Sequence, residues 1–166
     1  MMLEEFRQQK DNFFRQPDSP LLPEDQAGFS GLKYFPENPS LRLTVALDED
    51  VAHDFVMMPT STGSQKRYVR GGKISFQVQG QPVAFFLYKD DTGWFLPFRD
   101  GTSDQETYGA GRYLEPREAE AGKLLVDFNF AYNPYCAYNE HYSCPIPPRE
   151  NWTKVRIEAG EMRFHH

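Results

Sequence analysis

Transition-metal ligands are scarce in this chain. Two cysteines and four histidines among 166 residues leave few sets of soft donors. Cys136 and Cys144 stand with His141 between them, but the closely spaced C-x-x-C pair of structural zinc sites is absent, and only the distant His53 or a carboxylate could complete a tetrahedron. No metal is therefore expected. A disulfide between the two would close a short loop and contribute roughly 2 to 3 kcal/mol by chain-entropy bookkeeping, although a reducing cytoplasm disfavours it. Two buried free thiols is the leading expectation. A nucleophilic Cys136 activated by His141 is the alternative.

Clustered positive charge is also missing. The 18 Lys and Arg are scattered against 24 Asp and Glu, and a net charge of -6 repels a phosphate backbone. Nucleic acid is excluded as an expected partner. The opening MMLEEFRQQK is charged within four residues, and no apolar run is long enough for a membrane span or the core of a secretory signal, so a soluble cytoplasmic protein is expected. Neither a P-loop nor a G-x-S-x-G elbow occurs, and Gly109-Ala110-Gly111 lacks the third glycine and βαβ setting of a dinucleotide site. No cofactor is expected. With no internal repeat or composition break, residues 1–166 read as one domain. His165 and His166 carry no role in this reading.

Leu3, Phe6, Phe13 and Phe14 recur near helical spacing ahead of Pro17, which predicts an amphipathic helix within residues 1–16. Residues 17–40 carry prolines and glycines and read as an irregular connector, with one helical turn starting at Pro23. From Leu41 the period changes to two. Leu41, Leu43, Val45 and Leu47 face one way, and Ile74, Phe76 and Val78 form one arm of a hairpin with Val83–Tyr88. WFLPF, then Leu124 to Phe130, then Thr153 to Ile157 complete the strands, which gives a β core over residues 41–164. The fold class is all-β, or β-dominated: an antiparallel sandwich or partly open barrel with one N-terminal helix and two long ordered loops.

Those loops carry the chemistry. Residues 99–115 gather Asp100, Asp104, Glu106, Arg112 and Glu115 among glycines, and residues 127–151 are rich in tyrosine, asparagine and proline. Carboxylates on such loops can act as acids, bases or anchors, so Asp127, Asp100 and Glu106 are the candidate catalytic residues. Arg112, Tyr113, Asn129, Asn133 and Tyr138 are the candidate ligand-binding residues, on the expectation that Arg112 meets Asp127 or an anionic ligand where the loops converge. Strand alternation would place Asp127 and Asn129 together on an open face. The bland alternatives are a solvated loop tied by its own Asx turns and a buried Arg112 to Asp127 pair that only fastens the loops.

GRYLE, DFNFAYNPYCAYN, YSCPIPPREN and IEAGE, with FSGLKYFPENP and LPFRDGTS, together resemble the bacterial and archaeal family called domain of unknown function sixteen eighty-four. The resemblance spans nearly the whole chain after the first helix and implies no activity, cofactor or catalytic residue. Two functions stay open from the residues alone. One is an enzyme, of the hydrolase class, acting on a small polar substrate. The other is a noncatalytic ligand- or peptide-binding β module whose loops are structural.

Overall fold

The computed structural model describes residues 1–165, and His166 lies outside them. Helix α1 spans Leu3–Phe14, with Glu4 and Glu5 in its first turn, where acids suit the positive end of the helix dipole. Its inner face buries Phe14 and sets Phe6 edge-on against Phe130 at 5.0 Å. Phe13 is 40 % exposed. Neighbouring helical positions diverge by about 100°, so only one of the two adjacent phenylalanines can point inward. A five-residue helix, α2, spans Pro23–Ala27 and opens on its proline. No helix among the described residues is long and apolar enough to cross a membrane.

The fold is β-dominated, with two antiparallel sheets. Strands β1 (Arg42–Ala46), β7 (Arg117–Glu118) and β8 (Lys123–Asp127) make a three-stranded sheet in the order β1-β8-β7. The five-stranded sheet runs in sequence order through β2 (Phe55–Pro59), β3 (Gln65–Val78), β4 (Gln81–Asp90), β5 (Gly93–Phe98) and β6 (Arg112–Leu114). β3 and β4 form the expected hairpin, with β4 central. Their two-residue turn, Gln79-Gly80, has φ of 50° and 80°, the left-handed pair that matches strand twist. An extra residue between Arg70 and Gly72 shifts the register and bends β3.

The principal core lies between the sheets, where Val45, Ile74, Phe85, Leu96, Leu124 and Val126 meet. A second cluster gathers Met58, Tyr88, Phe95, Tyr113 and Cys144, and a third seats α1 through Phe14, Leu21, Leu32 and Tyr138. Where β4 and β5 stop pairing, Asn151 takes over. Its side chain accepts from the Phe86 N–H at 2.7 Å and donates to the Phe86 and Pro97 carbonyls, both at 2.8 Å. One buried amide thus satisfies backbone groups of both strands.

Three expectations are corrected. β2 has no counterpart in the sequence reading, because Phe55 and Met57 are exposed and its apolar residues occupy both faces without alternation. The run from Leu124 does not extend to Phe130. The Asp127 carboxylate accepts the Asn129 N–H at 3.0 Å and caps a 3-10 turn over Phe128–Phe130, which tucks Asn129 inward rather than onto an open face. Thr153 to Ile157 forms no regular strand. The Ile157 N–H is taken at 2.7 Å by the Asp100 carboxylate, which replaces a neighbouring strand as acceptor.

Candidate functional site: a ring-walled cavity

Arg112 is fully buried, and its partner is Asp100 rather than Asp127. Nη2 lies 3.5 Å from Asp100 Oδ1 and donates to the Ile157 carbonyl at 3.0 Å, while Nη1 donates to the carbonyls of Ala159 and Glu161. Asp100 also accepts the Thr102 hydroxyl at 2.9 Å. Burial pulls the Arg112 pKa down and the nearby acids oppose it, so the guanidinium works as an internal clamp on the C-terminal segment.

The remaining sequence-level candidates disperse. Glu106 pairs with the partly exposed Arg156. Asp127 is half-buried and caps its turn. Asn129 holds Asn38 through both the N–H, at 2.8 Å, and the carbonyl, at 3.0 Å. Asn133 donates to Glu161 and to the Met162 carbonyl, each at 3.0 Å. Tyr138 is a core ring, 4.9 Å from Phe14. Asp100, Glu106 and Asp127 therefore share no cleft. Of the eight candidates, only Tyr113 and Asp127 border the main cavity.

That cavity measures about 830 Å³. The two long loops do converge on it, through a backbone pair between Tyr113 and Tyr132 with N–H to carbonyl distances of 2.9 and 3.0 Å. Its floor is aromatic: Tyr68 stacks on Phe95 at 5.3 Å, and Phe95 meets Tyr113 edge-on at 4.9 Å. Tyr132, Tyr135 and Tyr142 continue the wall, while Phe6 and Lys10 of α1 close the side near Phe130. The Tyr113 hydroxyl is held by the Pro145 carbonyl, which fixes that ring. The tyrosine-rich loop thus divides its rings. Phe128 and Tyr138 fill cores, and Tyr132, Tyr135 and Tyr142 line the cavity.

Glu115 is the cavity acid whose protonation this setting alters. Its side chain reaches solvent through the cavity mouth, yet the surrounding protein desolvates the carboxyl and pushes its pKa above the usual range, against the lowering effects of the Tyr132 hydroxyl and Lys10. Tyr132 is itself pushed up by burial and by Glu115. Lys10 sits 4.9 Å over the Tyr132 ring while its ammonium donates to the enclosed Glu161 at 2.6 Å, so α1 is tied to the wall it covers. Asp90, Lys66 and Arg117 add charge of both signs around the rim.

Cys144 lies in the cavity wall with Cys136 beside it, both as free thiols. The Cys136 N–H donates to Cys144 Sγ at 3.3 Å, and the Tyr108 hydroxyl lies 3.7 Å from Cys136 Sγ. His141, the base expected for Cys136, is exposed, and its backbone N–H donates to the Asn139 side chain at 3.0 Å. Among the described residues, no cluster of three His, Cys, Asp or Glu side chains is placed to hold a metal. Tyr68, Phe95 and Lys10 escaped the sequence-level site, and Glu115 stood there only among the loop acids, outside the candidate set. Of the first three, only Tyr68 left a signal, as a lone ring in the polar run QKRYVR.

Residues 27–162 match the family described as Protein of unknown function (DUF1684). The chain is also similar to an uncharacterised protein of Haloarcula marismortui whose structure was solved in solution by NMR. Sequence identity is 36 %, the match covers 96 % of this chain and 91 % of that one, and the TM-score is 0.73. Among curated proteins none matches. The chain belongs to the DUF1684 family.

Proposed function

We propose that this DUF1684 protein is a noncatalytic binding module whose cavity takes a small molecule with a flat apolar body and a hydrogen-bond donor at one end. The observation that carries the reading is the cavity itself. At about 830 Å³ it has the size of small-molecule sites, with eight aromatic side chains in its wall and the Glu115 and Tyr132 pair as a convergent polar group. Rings offer stacking surface, and the carboxyl offers an acceptor that water does not fully saturate. The dispersal of Asp100, Glu106 and Asp127 favours binding over hydrolysis, because acid and base need a common substrate within hydrogen-bond reach. The two free thiols support a reducing compartment, the cytoplasm.

A thermal-shift panel tests this reading with aromatic amines, aromatic carboxylates and aliphatic amines of matched size. Ligands of the native state raise the melting temperature by mass action. Aromatic amines should stabilise most, and Glu115→Leu should abolish their advantage over the carboxylates. Equal shifts from all three classes, or shifts unchanged in Glu115→Leu, would overturn the assignment.

A further inference from the structure

The two cysteines form an arrangement that the binding reading does not use. They are eight positions apart, yet the loop folds back through the 3-10 turn at Tyr135–Ala137 and the Asn139 turn, so that Cys144 Sγ lies 3.3 Å from the backbone nitrogen of Cys136. The loop is anchored across the β2–β3 turn by a set of hydrogen bonds, among them one from the Cys144 N–H to the Ser61 hydroxyl at 3.1 Å. Ser61 donates its hydroxyl to the Tyr142 carbonyl at 2.9 Å and its N–H to the Cys144 carbonyl at 3.0 Å, Thr62 donates to the Ser143 hydroxyl at 2.7 Å, and Ile146 donates its N–H to the Pro59 carbonyl at 2.8 Å. The two cysteines are therefore held side by side. Cys136 is half-buried and Cys144 is buried except towards the cavity, so the two differ in access.

We propose that Cys136 and Cys144 are a hydroperoxide-oxidised dithiol, with Cys136 attacking the peroxide and Cys144 resolving the product to a disulfide. The thiolate of Cys136 attacks one peroxide oxygen, the O–O bond breaks, and the leaving alkoxide or hydroxide takes up a proton, which leaves Cys136 as a sulfenic acid. The Cys144 sulfur then attacks Cys136 Sγ. An S–S bond forms, the S–O bond breaks, and water departs with the proton from Cys144. Two electrons pass from the thiols to the peroxide, and a thiol reductant returns them.

The order of roles follows from the surroundings. The Cys136 N–H favours negative charge on Cys144, but the Cys144 thiol and the Tyr108 hydroxyl are the leading donors that favour it on Cys136, against the opposing effect of burial. Those donors bring the Cys136 pKa down to about 6 and the sharing of one proton pushes Cys144 up. Cys136, the half-buried residue of the two, is thus also the ionised one, as a peroxide-reactive cysteine needs. The step requires nothing from Glu115 or from a bound ligand, and so stands or falls apart from the binding reading.

The experiment treats the purified, reduced chain with stoichiometric hydrogen peroxide and counts thiols after denaturation in a thiol-reactive dye. Loss of both thiols in a monomeric chain, a mass lower by two hydrogens and recovery on adding dithiothreitol are the expected results. In Cys144→Ser the sulfenic acid should persist and be captured by dimedone at Cys136, whereas the parent chain gives no adduct. Two free thiols after treatment, bridges only between chains, or dimedone capture at Cys144 in Cys136→Ser at the same rate would overturn the proposal. The thiol count on the parent chain decides the matter even if a variant fails to fold.

Discussion

Arg112 and Asp100 form an ion pair sealed from solvent, with both side chains essentially unexposed and Nη2 3.5 Å from Oδ1. The two Nη groups also donate to the carbonyls of Ile157, Ala159 and Glu161, the Nε–H is left without a partner, and Asp100 accepts the Ile157 N–H. Two side chains thereby order a C-terminal segment that has no strand of its own. Removing one partner strands the other in a medium that cannot solvate it, at a cost of about 3 to 5 kcal/mol. Asp100→Ala and Arg112→Met should each lose that much in urea unfolding. Arg112→Lys should recover little, since a single ammonium cannot span three carbonyls and a carboxylate. A loss of less than about 1 kcal/mol in either truncation would show that water reaches the pair.

Asn151 should behave as a structural residue of comparable weight. Its three hydrogen bonds serve Phe86 and Pro97 where β4 and β5 diverge. Asn151→Ala should cost about 3 kcal/mol, roughly one for each buried bond lost. Faster hydrogen exchange should appear first at the Phe86 amide, and unchanged protection there would contradict this role.

Tyr132→Phe offers a test of the polar end of the cavity. The Tyr132 hydroxyl favours ionised Glu115, so its removal should move an already raised carboxyl pKa further up. A carboxyl carbon-13 titration reads this directly. The linkage has a definite sign. Because the folded pKa of Glu115 exceeds its unfolded value, the stability it contributes is fully present at low pH and is lost as pH rises through the folded value. The loss should extend to higher pH in Tyr132→Phe.

The reduced thiol pair predicts a second pH signature. With Cys136 at about 6 and Cys144 raised, the native pair holds one proton between pH 6 and the ordinary thiol range near 9, while the unfolded chain holds two. Stability from this source should therefore rise with pH across that window and fall again above it, once the unfolded thiols ionise. Iodoacetamide should label Cys136 ahead of Cys144, with half-maximal rate near pH 6. Labelling that first rises near pH 9 would refute the assignment.

The strands that were legible in the sequence are those with one wet face. The Leu41 run, the β3–β4 hairpin and Leu124 to Val126 alternate because each lies between solvent and the principal core. β2 was illegible because Phe55 and Met57 remain outside while Met58 is buried, so hydrophobicity does not report its pleat. The loops converge as expected, but at Tyr113 and Tyr132. Arg112 was assigned the wrong partner because pairing of an arginine with one of several loop acids depends on the path of the C-terminal segment, which has no periodic pattern. The cavity was hidden for a related reason. Its walls come from α1, β3, β5 and both loops, and no local window contains residues so far apart in the chain.

The most direct test of the account is an NMR titration of the chain, labelled on its aromatic side chains, with the best stabilising aromatic amine. Shift changes and intermolecular contacts should concentrate on Tyr68, Phe95, Tyr132 and Tyr142, and Leu125→Trp, which places a large ring in the cavity, should abolish them while leaving the core resonances of Phe85 and Phe128 in place. Contacts spread over the surface, or binding undiminished in Leu125→Trp, would contradict the claim that this cavity is the binding site.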